Sequence, residues 1–151
     1  MTGITSSEIV LRLVFAAAAG ALVGIDREAR GKPAGLRTHA LVALGAALVT
    51  VCGIQYLQGS SDEAALTRVI QGVIAGVGFL GGGAILRARD RDAITGLTTA
   101  ATIWIVAALG VACGGGHWVA VTTAVALVVI ILILGRRIDQ FLRERGNAGG
   151  D

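Results

Sequence analysis

Five apolar runs, each close to the length needed to cross a lipid bilayer, constrain this chain more than any other feature. They extend roughly over residues 9–25, 38–57, 69–86, 97–112 and 118–134. A helix needs about 20 apolar residues to cross the hydrocarbon core, and irregular backbone cannot face lipid because its polar groups would stay unsatisfied. The sequence therefore predicts an all-α, polytopic membrane helix bundle with five transmembrane helices. Residues 1–135 form the transmembrane domain, and residues 136–151 form a short polar cytoplasmic tail.

The 23 glycines of the chain also indicate how the helices pack. Lipid provides no hydrophobic driving force between helices, so close backbone approach at small residues supplies the association energy. Glycines spaced four apart predict close packing of spans one and three, at the centre of the bundle or across a homodimer. Alternatively, the run Gly81-Gly82-Gly83 breaks the third helix and exposes carbonyls that coordinate a cation. The candidate packing glycines are Gly20, Gly24, Gly72, Gly76 and Gly78, the last spaced four from Gly82.

Residues 20–57 are similar to residues 81–118, without gaps, at an offset of 61 positions. Each copy holds a basic insert that ends in Gly-Leu-x-Thr, and each places Cys-Gly at the end of the following apolar run. Self-similarity at a fixed period indicates a structural repeat. We therefore expect two helical hairpins that point the same way, followed by a fifth helix.

The basic residues are distributed unevenly along the chain. Eleven of the 13 follow spans one, three or five, and only Arg12 and Arg68 fall on the other side of a five-span bundle. By the positive-inside rule, the N-terminus is outside and the C-terminus is cytoplasmic. This topology also accounts for the sequence pI of about 9.5, so the basic charge does not indicate a nucleic-acid partner.

Histidine and cysteine do not form a recognisable metal or redox site in the sequence. His39 and His117 fall on opposite sides of the predicted membrane, and no Cys/His cluster has zinc-ligand spacing. Cys52 and Cys113 occupy matching heights in the two hairpins, where a disulfide is conceivable, but packing as small apolar residues is favoured. We predict no cofactor, and no enzyme, because no nucleophile, base and orienting group occur together.

The insert GIDREARGKPAGLRTH after span one combines acidic, basic and hydroxyl side chains with a histidine, and it is the most chemically varied segment of the chain. One interpretation is an interfacial turn with solvated charges, in which Asp26 pairs with Arg30 one turn later and Thr38 caps the second span. The other is a buried cluster in which Asp26 and Glu28 hold Arg37 across the hairpin, as a recognition surface or an ion entrance. Charges within the membrane are costly unless they are paired or wet. The candidate cluster comprises Asp26, Arg27, Glu28, Arg37, Thr38 and His39.

Two other polar features lie within the spans. Arg12 is within reach of Glu8 one turn earlier, and we expect its side chain to extend to the outer interface. Threonines at helical spacing give span four a polar stripe, which either bonds to its own helix carbonyls or faces Gln71 across a solute site. The candidate solute-lining residues are Gln71, Gly81, Gly82, Thr98, Thr99 and Thr102.

Three strings resemble, in order and spacing, the hydrophobic domain of the MgtC/SapB family of bacterial inner-membrane proteins. They are GIDREARGKPAGLRTHALVALGAALV, RVIQGVIAGVGFLGGGAIL and ITGLTTAATIWIVAALG, and the resemblance covers roughly residues 10–134. It implies a protein tied to growth in low magnesium and, in some pathogens, to survival inside macrophages. It also implies that the MgtC branch restrains the F-type ATP synthase and does not carry magnesium. The family's acidic residue falls on Asp26 or Glu28, and its basic string on Arg37, Thr38 and His39.

The resemblance has one departure at the C-terminal side. MgtC-type members continue into a soluble C-terminal domain, whereas this chain looks like the short SapB-like branch, which puts the ATP-synthase role in doubt. Magnesium prefers octahedral oxygen ligation, yet no Asp, Glu or Asn lies in the middle of any span. We therefore expect an accessory or regulatory membrane protein, a homodimer that also contacts another membrane complex. The alternative is a small transporter or channel with a site between the two hairpins.

Overall fold

The computed structural model describes residues 4–57, 63–86 and 95–148, and this part of the chain forms five α-helices. All five are long and apolar enough to cross a membrane, which confirms the prediction of a five-helix membrane bundle. The helices are α1 (Ser6–Glu28), α2 (Leu36–Tyr56), α3 (Glu63–Leu86), α4 (Leu97–Gly114) and α5 (Trp118–Ala148).

Successive helices run in opposite directions, so the bundle has two chemically different ends. The Arg-rich end contains the turn at residues 29–35 and the last turns of α5, and the N-terminal end contains the start of α1 and the turn at residues 115–117. α5 continues without a break past residue 135, so residues 136–148 of the expected polar tail belong to that helix.

The start of α2 differs from the sequence prediction. Thr38 is not its N-cap, because the helix begins at Leu36 with Gly35 in the N-cap position. The Glu28 carboxylate accepts a hydrogen bond of 2.7 Å from the Leu36 backbone N–H. A side chain from the preceding helix thus satisfies one of the free N–H groups at this terminus, and the helix starts two residues earlier than expected.

The core is built around α2, which lies between α1 and α4. Gly20 and Gly24 of α1 approach its backbone on one side, and Gly110 and Gly114 of α4 approach it on the other. A Cβ atom at any of these four glycines would clash with backbone or Cβ atoms of α2, so only glycine permits this separation. Fully buried apolar side chains fill the remaining space: Ala16, Val23, Ala43, Ala47, Val106 and Cys113. Cys113 is a free thiol in this core, and Cys52 is free and exposed.

Spans one and three do not pack against each other within the described chain, and packing of their glycines across a homodimer stays a prediction. In the described part of the chain, α1 contacts α2, α4 and α5, whereas α3 contacts only α2 and α4. The four-residue glycine spacing on α1 is a packing motif, but its partner is α2. The alternative of a broken third helix is also wrong, because α3 is continuous from Glu63 to Leu86.

The two hairpins correspond to the sequence repeat. Gly20 packs against His39 in the first hairpin, and Gly81, which is 61 positions further on, packs against Ala100 in the second, where a Cβ added at Gly81 would lie 3.6 Å from the Cβ of Ala100. Gly35 and Gly96, also separated by 61 positions, are the N-caps of α2 and α4. Equivalent residues thus make equivalent contacts between the helices of each hairpin.

Candidate functional site at the Arg-rich end

Four polar side chains form a buried layer between α1, α2 and α4 near the Arg-rich end. This buried polar layer consists of Arg27, His39, Thr99 and Thr102, each buried against neighbouring helices. The Arg27 guanidinium donates a hydrogen bond of 2.8 Å from Nη2 to the Thr99 hydroxyl oxygen. His39 donates from Nδ1 to the Gly35 carbonyl at 2.8 Å, and its Nε2 lies 3.1 Å from the Thr102 hydroxyl. The layer therefore connects three helices through side-chain contacts.

The helical phase of each segment explains why these residues are buried. Arg27 lies on the same side of α1 as Ala16, Gly20 and Val23, at spacings of four, three and four residues, and all of them are buried. His39 begins the buried side of α2, and Thr99 and Thr102 begin that of α4. Each polar residue extends an apolar packing face by about one turn, so helix formation itself places it inside the bundle.

The hydrogen bonds of His39 and Thr102 depend on each other. The Thr102 hydroxyl donates to the Thr99 carbonyl at 2.9 Å, so in this arrangement Nε2 of His39 must donate to Thr102. Because Nδ1 also faces a carbonyl, both ring nitrogens then carry hydrogen, as in an imidazolium. If the Thr102 hydroxyl instead rotates to donate to Nε2, a neutral ring satisfies both contacts. The orientation of one hydroxyl and the proton on His39 are therefore linked.

Among the described residues, the charge of Arg27 has little direct compensation. Its hydrogen-bond partner there is a neutral hydroxyl, and its Nε atom, like that of Arg12, is buried without a partner in the described structure. The adjacent carboxylate of Asp26 forms an ion pair with Arg30 instead. Thr99 is the third residue of α4, where the helix dipole is positive and disfavours a cation. Arg27 thus carries a desolvation cost that its hydrogen bond to Thr99 offsets only in part, which marks it as a functional candidate.

Arg12 at the N-terminal end is buried in a more favourable setting. Its Nη1 atom donates a hydrogen bond of 2.6 Å to the Gly114 carbonyl, and its Nη2 atom forms an ion pair with Glu8. The pairing with Glu8 was expected, and Arg12 points toward the N-terminal end of the bundle while being only 9% exposed. Its extension to the outer interface stays a prediction. The carbonyls at the end of α4 require donors, and Arg12 supplies one.

The other residues of the predicted cluster take different positions. Asp26 and Arg30 form the expected pair one turn apart. Arg37 and Thr38 are exposed, whereas Asp26 pairs with Arg30 and the Glu28 carboxylate accepts from the Leu36 N–H. The prediction that Asp26 and Glu28 hold Arg37 is therefore wrong. Since α2 begins at Leu36, its buried side starts at His39 and residue 37 lies outside the bundle.

The predicted solute-lining residues are not brought together. Gln71 is exposed in the N-terminal half of α3, whereas Thr98, Thr99 and Thr102 occupy the first turns of α4 at the Arg-rich end. Thr99 and Thr102 contact α1 and α2 and do not face Gln71. Ala100 occupies the space beside Gly81. At Gly82, no described atom of another part of the bundle lies within 4 Å of the position that a Cβ would occupy. No cluster of three or more His, Cys, Asp or Glu side chains occurs within residues 4–57, 63–86 and 95–148.

Comparison with known proteins agrees with the resemblance seen in the sequence. The MgtC family matches residues 13–141. Similar proteins include "Protein SrpB" of Synechococcus elongatus, 50% identical over 71% of this chain and 63% of its own length. "Putative magnesium transporter YhiD" of Escherichia coli is 42% identical over 75% of this chain and 54% of its own length. "Protein MgtC" of Salmonella typhimurium is 37% identical over 89% of this chain and 55% of its own length.

The chain thus spans between about half and two thirds of the length of these relatives. No solved structure matches it. The matched region contains all four residues of the buried polar layer and most of the five helices that could cross a membrane. This chain belongs to the MgtC family of membrane proteins.

Proposed function

We propose that this chain is an accessory or regulatory protein of magnesium homeostasis in the bacterial cytoplasmic membrane. It acts through contact with other membrane proteins and does not itself conduct magnesium. Family membership supports the link to magnesium, and the five apolar helices support the membrane location. The unequal distribution of basic residues supports an outside N-terminus and a cytoplasmic C-terminus, with residues 136–151 on the cytoplasmic side.

The close packing around α2 is the observation that carries the accessory role. Magnesium is bound by six oxygen ligands and keeps several waters, so a conducting path needs a wide, wet and oxygen-lined space. Between α1, α2 and α4 the backbones instead approach at glycine. Among the described acidic residues at this end, Glu28 accepts from the Leu36 N–H and Asp26 pairs with Arg30. The second carboxylate oxygen of Asp26 is buried without a partner in the described structure, and one such oxygen falls short of the six ligands of magnesium.

The buried polar layer is proposed as the working element of this role. Arg27 is held by neutral partners, so a small change at α4 or α2 alters its environment more than that of a fully paired residue. Arg37 and Thr38 are exposed next to this layer at the Arg-rich end, where a cytoplasmic or membrane partner would reach them. We propose that these two residues contact the partner and that the layer transmits the contact between helices.

A transport function is the second candidate. One observation favours it, namely the name of the Escherichia coli relative, which describes a proposed magnesium transporter. In this protein such a path would have to form outside the packed seam of α1, α2 and α4. A measurement of flux separates the two candidates directly.

The test combines growth and flux. A host strain that lacks the gene is grown in micromolar magnesium and complemented with the wild-type chain, with Arg27→Met, or with Lys32→Gln, an exposed control in the same turn region. We expect wild-type and Lys32→Gln chains to restore growth and Arg27→Met to fail. Liposomes that contain only the purified chain should admit no more Mg²⁺ than empty ones. Selective Mg²⁺ entry would overturn the accessory role in favour of transport, and normal growth of the deletion strain would overturn both.

A further inference from the structure

The last helix, α5, extends beyond the part of the bundle that holds it. It has 31 residues and a length of about 46 Å, whereas α1 to α4 have between 18 and 24 residues. Its residues Val121 and Leu132 are buried in the core, and no side chain described in α5 after Leu132 is buried. We call residues 136–148 the α5 extension. A helical segment of this length is only marginally stable when nothing packs against it, so we expect a surface outside the described chain to stabilise it.

The α5 extension carries apolar side chains on one side. Ile138, Phe141 and Leu142 are 57%, 53% and 59% exposed. They continue a spacing of three or four residues that begins in the membrane-spanning part of the helix. Because Val121 and Leu132 lie on another side of α5, these residues point away from α1 and α4, toward lipid. The complete α5 stripe consists of Leu127, Ile131, Leu134, Ile138, Phe141 and Leu142.

The length of α5 determines how far the extension reaches through the bilayer. The helix begins at Trp118, a residue type enriched where membrane meets water, and its apolar span continues to Leu142. Leu142 lies about 36 Å along the helix axis from Trp118. The hydrocarbon core is about 30 Å thick, and the headgroup layers bring the total to about 40–45 Å. With Trp118 at one interface and the helix along the membrane normal, the stripe from Ile138 to Leu142 therefore lies at the opposite headgroup layer.

Arginines lie next to the stripe at the same depth. Arg136 and Arg137 are exposed directly before Ile138. At the other end of the extension, the guanidinium carbon of Arg145 lies 4.7 Å from the centroid of the Phe141 ring. A dry protein interface over the stripe would take this guanidinium out of water, which is costly without a paired anion. The headgroup layer of a bilayer is hydrated and supplies phosphate anions at this depth, so it matches both the apolar and the charged side chains.

We propose that the α5 extension docks on the headgroup layer of a bilayer that contains anionic phospholipid. The three apolar side chains insert beside the upper parts of the acyl chains, as amphipathic helices do at this boundary. Arg136, Arg137 and Arg145 donate hydrogen bonds to lipid phosphates, which the planar guanidinium group binds through two parallel N–H donors. The extension is then held in the membrane surface and is not a free polar tail. This inference goes beyond the proposed function and does not depend on it, because it uses only the length, exposure and charge of α5.

The first test measures whether lipid covers the stripe. The full chain with Cys52→Ser, in which Cys113 stays buried, is placed at one copy per disc in nanodiscs of equimolar phosphatidylcholine and phosphatidylglycerol. Both faces of a disc are open to reagents, and a second chain is excluded. Ile138→Cys and Leu142→Cys should react with a charged maleimide roughly tenfold more slowly than Gln140→Cys. Gln140→Cys is the matched control, because it lies between them in depth but on the opposite side of the helix.

The second test measures whether the charge of the lipid matters. In nanodiscs of phosphatidylcholine alone, Leu142→Cys should react roughly fivefold faster, because each arginine near an anionic surface adds to the attraction. Replacement of Arg136, Arg137 and Arg145 together by glutamine should raise the rate in the mixed discs to the same value. Replacement by lysine is the matched control, since it keeps the charge and should keep the protection. Glutamine and lysine are about as favourable in helices as arginine, so circular dichroism should show unchanged helix content.

Four results would overturn the proposal. Equal reactivity at positions 138, 140 and 142 would mean that the extension projects into water. Protection that appears only with two copies per disc would assign the stripe to a second chain. Equal protection with and without phosphatidylglycerol, or its loss in the lysine variant as well as the glutamine variant, would show that lipid charge does not hold the extension. All of these outcomes leave the growth test of the proposed function unaffected.

Discussion

Two buried arginines lie at opposite ends of α4, and their surroundings differ in the properties that determine stability. Arg12 contacts the C-terminal end of the helix, where the dipole is negative, and also pairs with Glu8. Arg27 contacts the N-terminal end, where the dipole is positive, and its hydrogen-bond partner among the described residues is a hydroxyl. Negative charge near Arg12 thus compensates its positive charge, whereas the positive end of the helix dipole near Arg27 disfavours it. We infer that Arg12 is retained for the fold and Arg27 for the function.

Among the substitutions that test the difference between Arg12 and Arg27, Arg27→Met is expected to have the largest effect on growth. If Arg27 is functional, this change should abolish growth complementation in low magnesium. The cell yield of the culture should fall by at least about tenfold. The thermal midpoint of the purified protein should stay the same or rise, because replacing an uncompensated buried charge by an apolar side chain is often neutral or stabilising. A variant that unfolds readily and still supports growth would reverse the assignment.

Arg12→Met should show the opposite combination. It removes the charged donor to the Gly114 carbonyl and leaves Glu8 without its partner, so the free energy of unfolding should fall by about 2 kcal/mol. Denaturation by sodium dodecyl sulfate in mixed micelles measures this loss. Growth should decline only as far as the amount of folded protein declines. A stable Arg12→Met protein that fails to complement would give Arg12 a functional role as well.

Thr99→Val should have a smaller effect than Arg12→Met, and Thr99→Ser is the matched control that keeps the hydroxyl. Loss of the hydroxyl leaves the Arg27 guanidinium without an acceptor, at a cost of about 1–2 kcal/mol. The double variant Arg27→Met with Thr99→Val should recover most of that loss, since the unpaired charge is then absent. Additive losses in the double variant would show that the two side chains do not interact.

Glu8→Gln is expected to have the smallest effect. The Glu8 side chain is 40% exposed, so solvent screens its attraction to Arg12, and the amide oxygen can still accept a hydrogen bond. The free energy of unfolding should change by less than about 1 kcal/mol in the same micelle titration. A loss as large as that of Arg12→Met would mean that the ion pair, and not the contact with α4, holds this end together.

The sequence predicted elements and local pairs well, because both depend on short-range periodicity. Apolar run length was sufficient for the five helices, and one-turn spacing was sufficient for the Asp26–Arg30 and Glu8–Arg12 pairs. The partner of a packing face was not predictable in the same way. The spacing of Gly20 and Gly24 shows that one face of α1 lacks side chains and can approach another helix. It does not show whether that helix is α2 or α3.

The sequence also could not show which charged side chain of the first insert points into the bundle. Successive residues of a helix point about 100° apart, so the choice between Arg27 and Arg37 depends on where each helix ends and begins. That boundary is fixed by the contact of Glu28 with the Leu36 N–H, which joins residues eight positions apart. A capping interaction of this kind has no periodic signature in the sequence.

The contact of two glycine pairs with one stretch of α2 has a consequence for movement. Gly20 and Gly110 both meet Ala43, so neither α1 nor α4 can turn about its long axis without driving a larger side chain into that stretch. Large rotations of these three helices against each other are therefore excluded, and the buried polar layer can respond only to shifts that keep these contacts. Any larger swing in the bilayer falls to α3 and α5.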